Sequence, residues 1–275
     1  MPEEAGPAAP GVPPSRGTTR RAGKLYGMST SRDQHHEHAS AAGDGTRRFP
    51  ARPGRGRPPL AGLVGLPAVL FALITWQVVG DGPLLGADRR VSHALLRPDR
   101  ASEWLSDLGN VQVAVPVLVA VAGYAAWRGR RAAVGRWWAA PLTAAVLMAV
   151  LPAIVVPVKE WAGRHGTSAV PPGTGYYPSG HTATAAVAYG GAVLVLLPWL
   201  RSALARRAAA GMAAALVLAV SYGLVRRGYH WPLDVVASWC LCAVLLTGLW
   251  LVLRRLSRST SRTCSGTASR RTGPS

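Results

Sequence analysis

The 275-residue chain has little from which a disulfide or metal framework could be built. Its three cysteines include Cys240 and Cys242 inside an apolar run and Cys264 near the C-terminus, with no C-x-x-C pair and no zinc-ligand spacing. That excludes a disulfide scaffold and a structural zinc site, and leaves Cys240 and Cys242 as small packing residues. Carboxylates are scarce, 12 in all, and form no acidic cluster of the kind magnesium requires. No metal and no cofactor are therefore expected. Lysine is rarer still: Lys24 and Lys159 are the two, and the other basic residues are arginine. In such a chain a lysine at the end of an apolar run stands out.

The formal net charge is +19, which raises the question of nucleic acid. The distribution of charge answers it. The arginines lie in the two tails and in short loops between apolar runs, not on one face of a soluble core, so no nucleic-acid partner is expected. Residues 1–59 are rich in Pro, Gly, Ser, Arg and His without apolar periodicity and are read as a disordered N-terminal tail. The segment is too polar, and its apolar run starts too late, for a cleaved signal peptide. His35-His36-Glu37-His38 has ligand-type residues, but nothing nearby would fix their geometry, so it is read as solvated tail.

What the chain does have is apolar length. Uncharged stretches run from Leu60 to Gly80, Leu108 to Trp127, Trp137 to Val158, Thr182 to Leu200, Ala208 to Val225 and Val235 to Leu253. Each is near the roughly 20 residues that span a bilayer core. Backbone polar groups in lipid must be satisfied internally, so the fold class is all-α, a polytopic membrane protein with six transmembrane helices over residues 60–253. The loop after the second span carries Arg128, Arg130, Arg131 and Arg136, and the loop after the fourth Arg201, Arg206 and Arg207, with no acid in either. The stretch after the sixth opens Arg254-Arg255, and residues 254–275 are read as a disordered basic tail. The loop after the first span is balanced: Arg89, Arg90, Arg97 and Arg100 against Asp81, Asp88, Asp99, Glu103 and Asp107. The positive-inside bias puts both termini in the cytoplasm of a plasma-membrane protein, with 81–107, 159–181 and 226–234 as outward loops.

Two of those loops gather the reactive side chains: Lys159, Arg164, Ser179, Gly180 and His181 in one, Arg226, Arg227, His230 and Asp234 in the other. Ionisable residues at membrane depth are costly and are functional candidates by default. Ser179-Gly180-His181 opens the fourth apolar helix. A helix N-terminus offers free N–H groups and the positive end of a dipole, an anion site in which Ser179 adds a donor and Gly180 permits close approach. A plain N-cap role for Ser179 is open too, but does not account for the histidine beside it. His230 and Asp234 are four apart, with Pro232 suited to a first helical turn, so both side chains share one face. A carboxylate on one imidazole nitrogen orients the ring and makes the other nitrogen a better nucleophile or base. An interfacial His–Asp pair without chemistry is equally open. Together, two histidines, a carboxylate and several cations suit phosphoryl transfer without metal: one histidine attacks phosphorus, the other protonates the leaving oxygen, and cations offset the charge.

The spans and motifs resemble the type 2 phosphatidic acid phosphatase superfamily of membrane lipid phosphatases. That family reads Lys-x6-Arg-Pro, then Pro-Ser-Gly-His, then Ser-Arg-x5-His-x3-Asp. Pro178-Ser179-Gly180-His181 matches the second motif in full, His230-Trp-Pro-Leu-Asp234 the end of the third and Lys159 the start of the first. The resemblance implies that His230 is the nucleophile of a phosphohistidine, Asp234 its orienting carboxylate and His181 the general acid. It implies phosphate binding by Lys159, Ser179, the Gly180 amide and the arginines. The first motif departs from the pattern, with Gly166 and Thr167 at the Arg-Pro positions and Arg164 as the available substitute. The third has Gly223 and Leu224 at the Ser-Arg positions. Arg227, three residues on, would stand about one helical turn from the family position, and Arg226 would point away. The implied function is hydrolysis of a lipid phosphomonoester or pyrophosphate. Transfer to an alcohol acceptor and non-catalytic lipid-phosphate binding are the alternatives. Phosphatidate, undecaprenyl pyrophosphate, phosphatidylglycerophosphate and sphingoid phosphates all fit as the lipid.

Among the lesser features, Trp199, Trp231, Trp239 and Trp250 read as interfacial anchors or packing residues. His165 reads as a solvated loop residue. For Tyr176 and Tyr177, belt anchoring and lining of a substrate entry are both open.

Overall fold

The computed structural model describes residues 60–268, with side chains over 62–257; the His35–His38 run and the remainder of the tails lie outside the described residues. Eight α-helices follow one another: α1 (Leu60–Val79), α2 (Leu84–Leu95), α3 (Arg100–Asp107), α4 (Val111–Arg131), α5 (Ala139–Ala162), α6 (Gly180–Leu196), α7 (Ala203–Arg227) and α8 (Pro232–Ala268). Among the described residues there is no strand. Helix α1 and helices α4 to α8 are long and apolar enough to cross a membrane, as the hydropathy pattern requires. Leu66, Val69, Leu73 and Trp76 on α1, Val119 on α4 and Leu142 and Val146 on α5 point outward and are exposed. Such an apolar exterior belongs in lipid.

Helix α6 is the axis of the bundle. Thr182 to Tyr189 are all buried, and α4, α5, α7 and α8 pack around it. Its Ala and Gly content explains this position, because small side chains let helix backbones approach where no hydrophobic effect drives them together. A Cβ on Gly190 would stand 2.6 Å from Leu246 Cδ1 of α8. Tyr189 donates its hydroxyl proton to the Leu108 carbonyl at 2.6 Å, tying the axis to the turn before α4.

Three features depart from the sequence reading. The segment 81–107 is not a plain loop but holds α2 and α3. Helix α3 is set by a capping box: the Ser102 N–H donates to Asp99 Oδ1 at 2.7 Å, and the Asp99 N–H donates to Ser102 Oγ at 3.1 Å. Helices α5 and α7 extend past the ends of their apolar runs, so Lys159, Arg226 and Arg227 stand in last helical turns, where cations suit the helix dipole. Helix α8 continues beyond Leu253 to Ala268.

The two ends of the bundle differ in charge. At the end away from α2 and α3, the guanidinium groups of Arg128, Arg130, Arg131, Arg136 and Arg254 lie over the rings of Trp199, Trp137, Trp127, Trp138 and Trp250. At the other end, Arg226 pairs with Asp99 at 2.8 Å. The Ser102 N–H and Arg226 hold the Asp99 carboxyl down at about 2. A carboxyl lowered by folding stabilises above its ordinary value near 4 and loses that contribution as pH falls towards its folded value. In detergent, wild type should melt above Asp99→Ala at neutral pH, and the difference should close between about pH 4 and about pH 2.

Candidate active site

Two helix starts meet at the α2–α3 end. Ser179 caps α6, accepting from the Thr182 N–H at 3.3 Å. Its own N–H donates to the Asp234 carbonyl at 3.1 Å. Ser238 Oγ is 2.9 Å from both the Ser179 and the Asp234 carbonyls. The start of α8 is thereby fixed to the start of α6, and the five residues His230 to Asp234 are brought beside Gly180-His181.

Asp234 is fully buried and satisfied by three donors. Its Oδ2 lies 3.3 Å from His230 Nδ1 and accepts from the Trp231 N–H at 3.1 Å, while Oδ1 accepts from Arg164. A carboxylate on Nδ1 selects the tautomer with its proton there and leaves the Nε2 lone pair free. The His181 and His230 rings are 6.4 Å apart, and Tyr176 stands edge-on to His230 at 6.3 Å. Both histidines, Gly180 and Lys159 line one end of a cavity of about 940 Å³. Its other walls come from α4 and α5 and include Val115, Leu118, Met148, Leu151 and Val155. Lys159 Nζ donates to the Gly175 carbonyl at 3.0 Å. A Cβ on Gly180 would come 3.8 Å from Lys159 Cε, so a side chain there would fill the space between the lysine and the α6 N-terminus.

The other predicted cations are placed differently. Arg164 is buried between two carboxylates, Asp234 and Asp88 of α2, with the Trp231 ring 5.5 Å away. Arg226 is held by Asp99 and by the Tyr222 hydroxyl at 2.8 Å. Arg227 donates to the Tyr229 hydroxyl at 3.0 Å and lies 3.6 Å from Glu103. Neither Arg226 nor Arg227 bonds to the histidine pair or lines the cavity. Tyr177 neither anchors at an interface nor lines the cavity. It is fully buried, 2.7 Å from Thr75 Oγ1 and stacked near Phe71, and burial pushes its phenol up to about 12.

Sequence reasoning missed Asp88. Its Oδ2 accepts from Arg164 and its Oδ1 from the Leu233 N–H at 2.8 Å, so it satisfies a free amide at the start of α8. Burial pushes its carboxyl up, opposed by Arg164 and the Leu233 amide. The local signal was weak: one acid in a loop of balanced charge.

The PAP2 superfamily profile matches residues 111–258. The chain belongs to the PAP2 superfamily. The fold is similar to that in the crystal structure described as the first transmembrane PAP2 type phosphatidylglycerolphosphate phosphatase from Bacillus subtilis. The two share 20% identity over 70% of this chain and 96% of that one, with a TM-score of 0.54. No curated protein matches the chain.

Membership brings the third-motif departure into focus. Gly223 and Leu224 are buried, and a Cβ on Gly223 would meet the Ser102 carbonyl oxygen and the Ser106 nitrogen at 2.7 Å each. Helix α3 lies directly against α7 here, so this chain has no room for the family's serine, and an arginine at 224 would point into core. Gly223→Ser should lower stability by about 1–3 kcal/mol through overpacking, read as a lower melting temperature in detergent.

Proposed function

We propose that this PAP2 protein is a membrane phosphatase that hydrolyses a lipid phosphomonoester or pyrophosphate through a phosphohistidine on His230. The supporting observation is the shape of the cavity. Two imidazoles, a lysine and a helix N-terminus line a slot whose remaining walls are largely apolar, with Val115, Leu118, Met148, Leu151 and Val155 among them and Asn110, Gln112, Thr174, Tyr176 and Thr184 the polar exceptions. A ligand with a phosphate head and an apolar tail matches both parts.

In this reading Lys159 and the N–H groups opening α6 hold the phosphate oxygens. His230 Nε2 attacks phosphorus as the bond to the leaving oxygen breaks, and His181 gives that oxygen its proton. His181 then takes a proton from water, which attacks the phosphohistidine and releases inorganic phosphate with His230 restored. Asp234 stabilises the charge that builds on the ring. In this reading the site faces outward from the plasma membrane, with both termini inside; the balanced outer loop and the arginine-rich opposite end support that orientation.

The test is phosphate release in detergent from phosphatidate, phosphatidylglycerophosphate and undecaprenyl pyrophosphate, with EDTA present. Wild type should turn over at least one of them. His230→Ala should lose about 10⁴-fold or more, and Gly180→Ala should fold normally yet turn over poorly. A non-catalytic lipid-phosphate binder is the competing reading, since Lys159 alone of the four predicted cations lines the cavity. Saturable binding that survives His230→Ala, without turnover by either protein, would establish it instead.

A further inference from the structure

We infer that Asp88 is a positioning residue for His230, acting through Arg164, and that Arg164 serves as a clamp on Asp234 and not as a phosphate ligand. The inference rests on the phosphatase reading for its kinetic consequence alone.

The geometry is a chain of four groups. Asp88 bonds one terminal nitrogen of Arg164, the other terminal nitrogen bonds Asp234 Oδ1, and Asp234 Oδ2 faces His230 Nδ1. All four residues are buried. An arginine with each arm of its fork on a separate buried carboxylate cannot turn to a phosphate without giving up both ion pairs. Arg164 is also absent from the cavity wall that Lys159 and the histidines form.

Charge explains the need for the second carboxylate. Were Arg164 opposite Asp234 alone, the guanidinium would neutralise the one anion that orients His230. Asp88 shares the cation, so with both carboxylates ionised the three groups carry a net charge of −1 and Asp234 keeps negative charge for the imidazole. Asp88 also accepts from the Leu233 N–H, which holds the first turn of α8, and with it Asp234, in register with α2.

The groups around His230 that bear on its titration are Asp234 on α8, Arg164 and Tyr176 in the 163–179 segment, Lys159 on α5, His181 on α6 and Asp88 on α2. Arg227 and Tyr229 lie on the α7 side, and Asp107 is beside His181. Asp88→Asn keeps the shape and the acceptor for Leu233 and removes the charge. Arg164 then pulls undivided on Asp234 and repels imidazolium, so the His230 midpoint should fall.

The experiment is an NMR titration of histidine-labelled full-length protein in detergent, with the His230 signal assigned by its loss in His230→Gln. It needs no substrate. In Asp88→Asn the His230 midpoint should drop by about one pH unit. In Arg164→Gln it should rise, and Asp88→Asn/Arg164→Gln should titrate with Arg164→Gln, since the inference routes the Asp88 charge through Arg164 and the asparagine keeps the Leu233 bond. Asp88→Glu, which keeps the charge, should titrate near wild type. An unmoved midpoint in Asp88→Asn overturns the inference, as does a difference between the double variant and Arg164→Gln. If Asp88→Asn does not fold, the comparison of those two variants still decides.

With a substrate in hand, kcat of Asp88→Asn should fall about 10-fold or more with KM within about twofold, the pattern of a second layer that orients a reacting group. A protein that shows the coupled titrations but no turnover would remove the phosphatase reading and leave the clamp standing. A protein that turns over with His230 indifferent to Asp88 would do the reverse.

Discussion

The arrangement at this end of the bundle hangs on one buried guanidinium. Arg164 lies just past the end of α5, Asp88 on α2 and Asp234 in the first turn of α8, and the arginine joins all three. Two like charges without it would be untenable at this burial, and the guanidinium alone would be equally costly. Each group is therefore held in place by the desolvation penalty of the others. The short helix α2 gains its place from the same bonds. It is amphipathic, presents few apolar side chains inward, and is fastened where Asp88 meets both Arg164 and the Leu233 amide.

From that point order spreads through backbone hydrogen bonds. The start of α8, fixed by Asp88 and Asp234, carries the carbonyl to which the Ser179 N–H is bonded, and Ser238 closes the joint. The fully buried Tyr177 anchors the same segment to α1 through Thr75. His181 and His230 thus face one another from the first turns of two locked helices, not from free loops. In the proposed reading, pre-organisation of this kind spares the site reorganisation at each turnover.

What could be read from the sequence was what is local in it. The six spans follow from apolar length alone. The Ser179 cap, the Pro232 start of α8 and the pairing of His230 with Asp234 need only neighbours within four residues, and all are found as read. Asp88 could not be found this way, because its partner Arg164 lies 76 residues along the chain. Helices α2 and α3 were hidden because their apolar faces are short and their charges balanced. The one-turn relation between Leu224 and Arg227 was correctly inferred from helical spacing. What spacing could not show was that Glu103 and Tyr229 stand beside that arginine, or that Asp99 faces Arg226. Whether a helix-end cation is free depends on the element packed opposite it, and nothing within one turn records that.

So basic a chain brings, among the described residues, a single cation to its cavity, Lys159. A unit charge at 4 Å gains roughly 1 kcal/mol in bulk water and about 4 kcal/mol at an effective dielectric of ~20. Lys159 stands at the head of an apolar slot beside the N–H groups that open α6, so it works where charge counts for most. More cations there would have to be desolvated without a ligand to offset them. The arginines are accordingly spent elsewhere: on carboxylates around the site, where they fix geometry, and on tryptophan rings at the opposite end, where stem and ring are both at home in the interface. In the proposed reading, selectivity for a phosphate with an apolar tail comes from the contrast between one charged corner and largely apolar walls, and a polar phosphate without such a tail would forgo the larger part of the surface on offer.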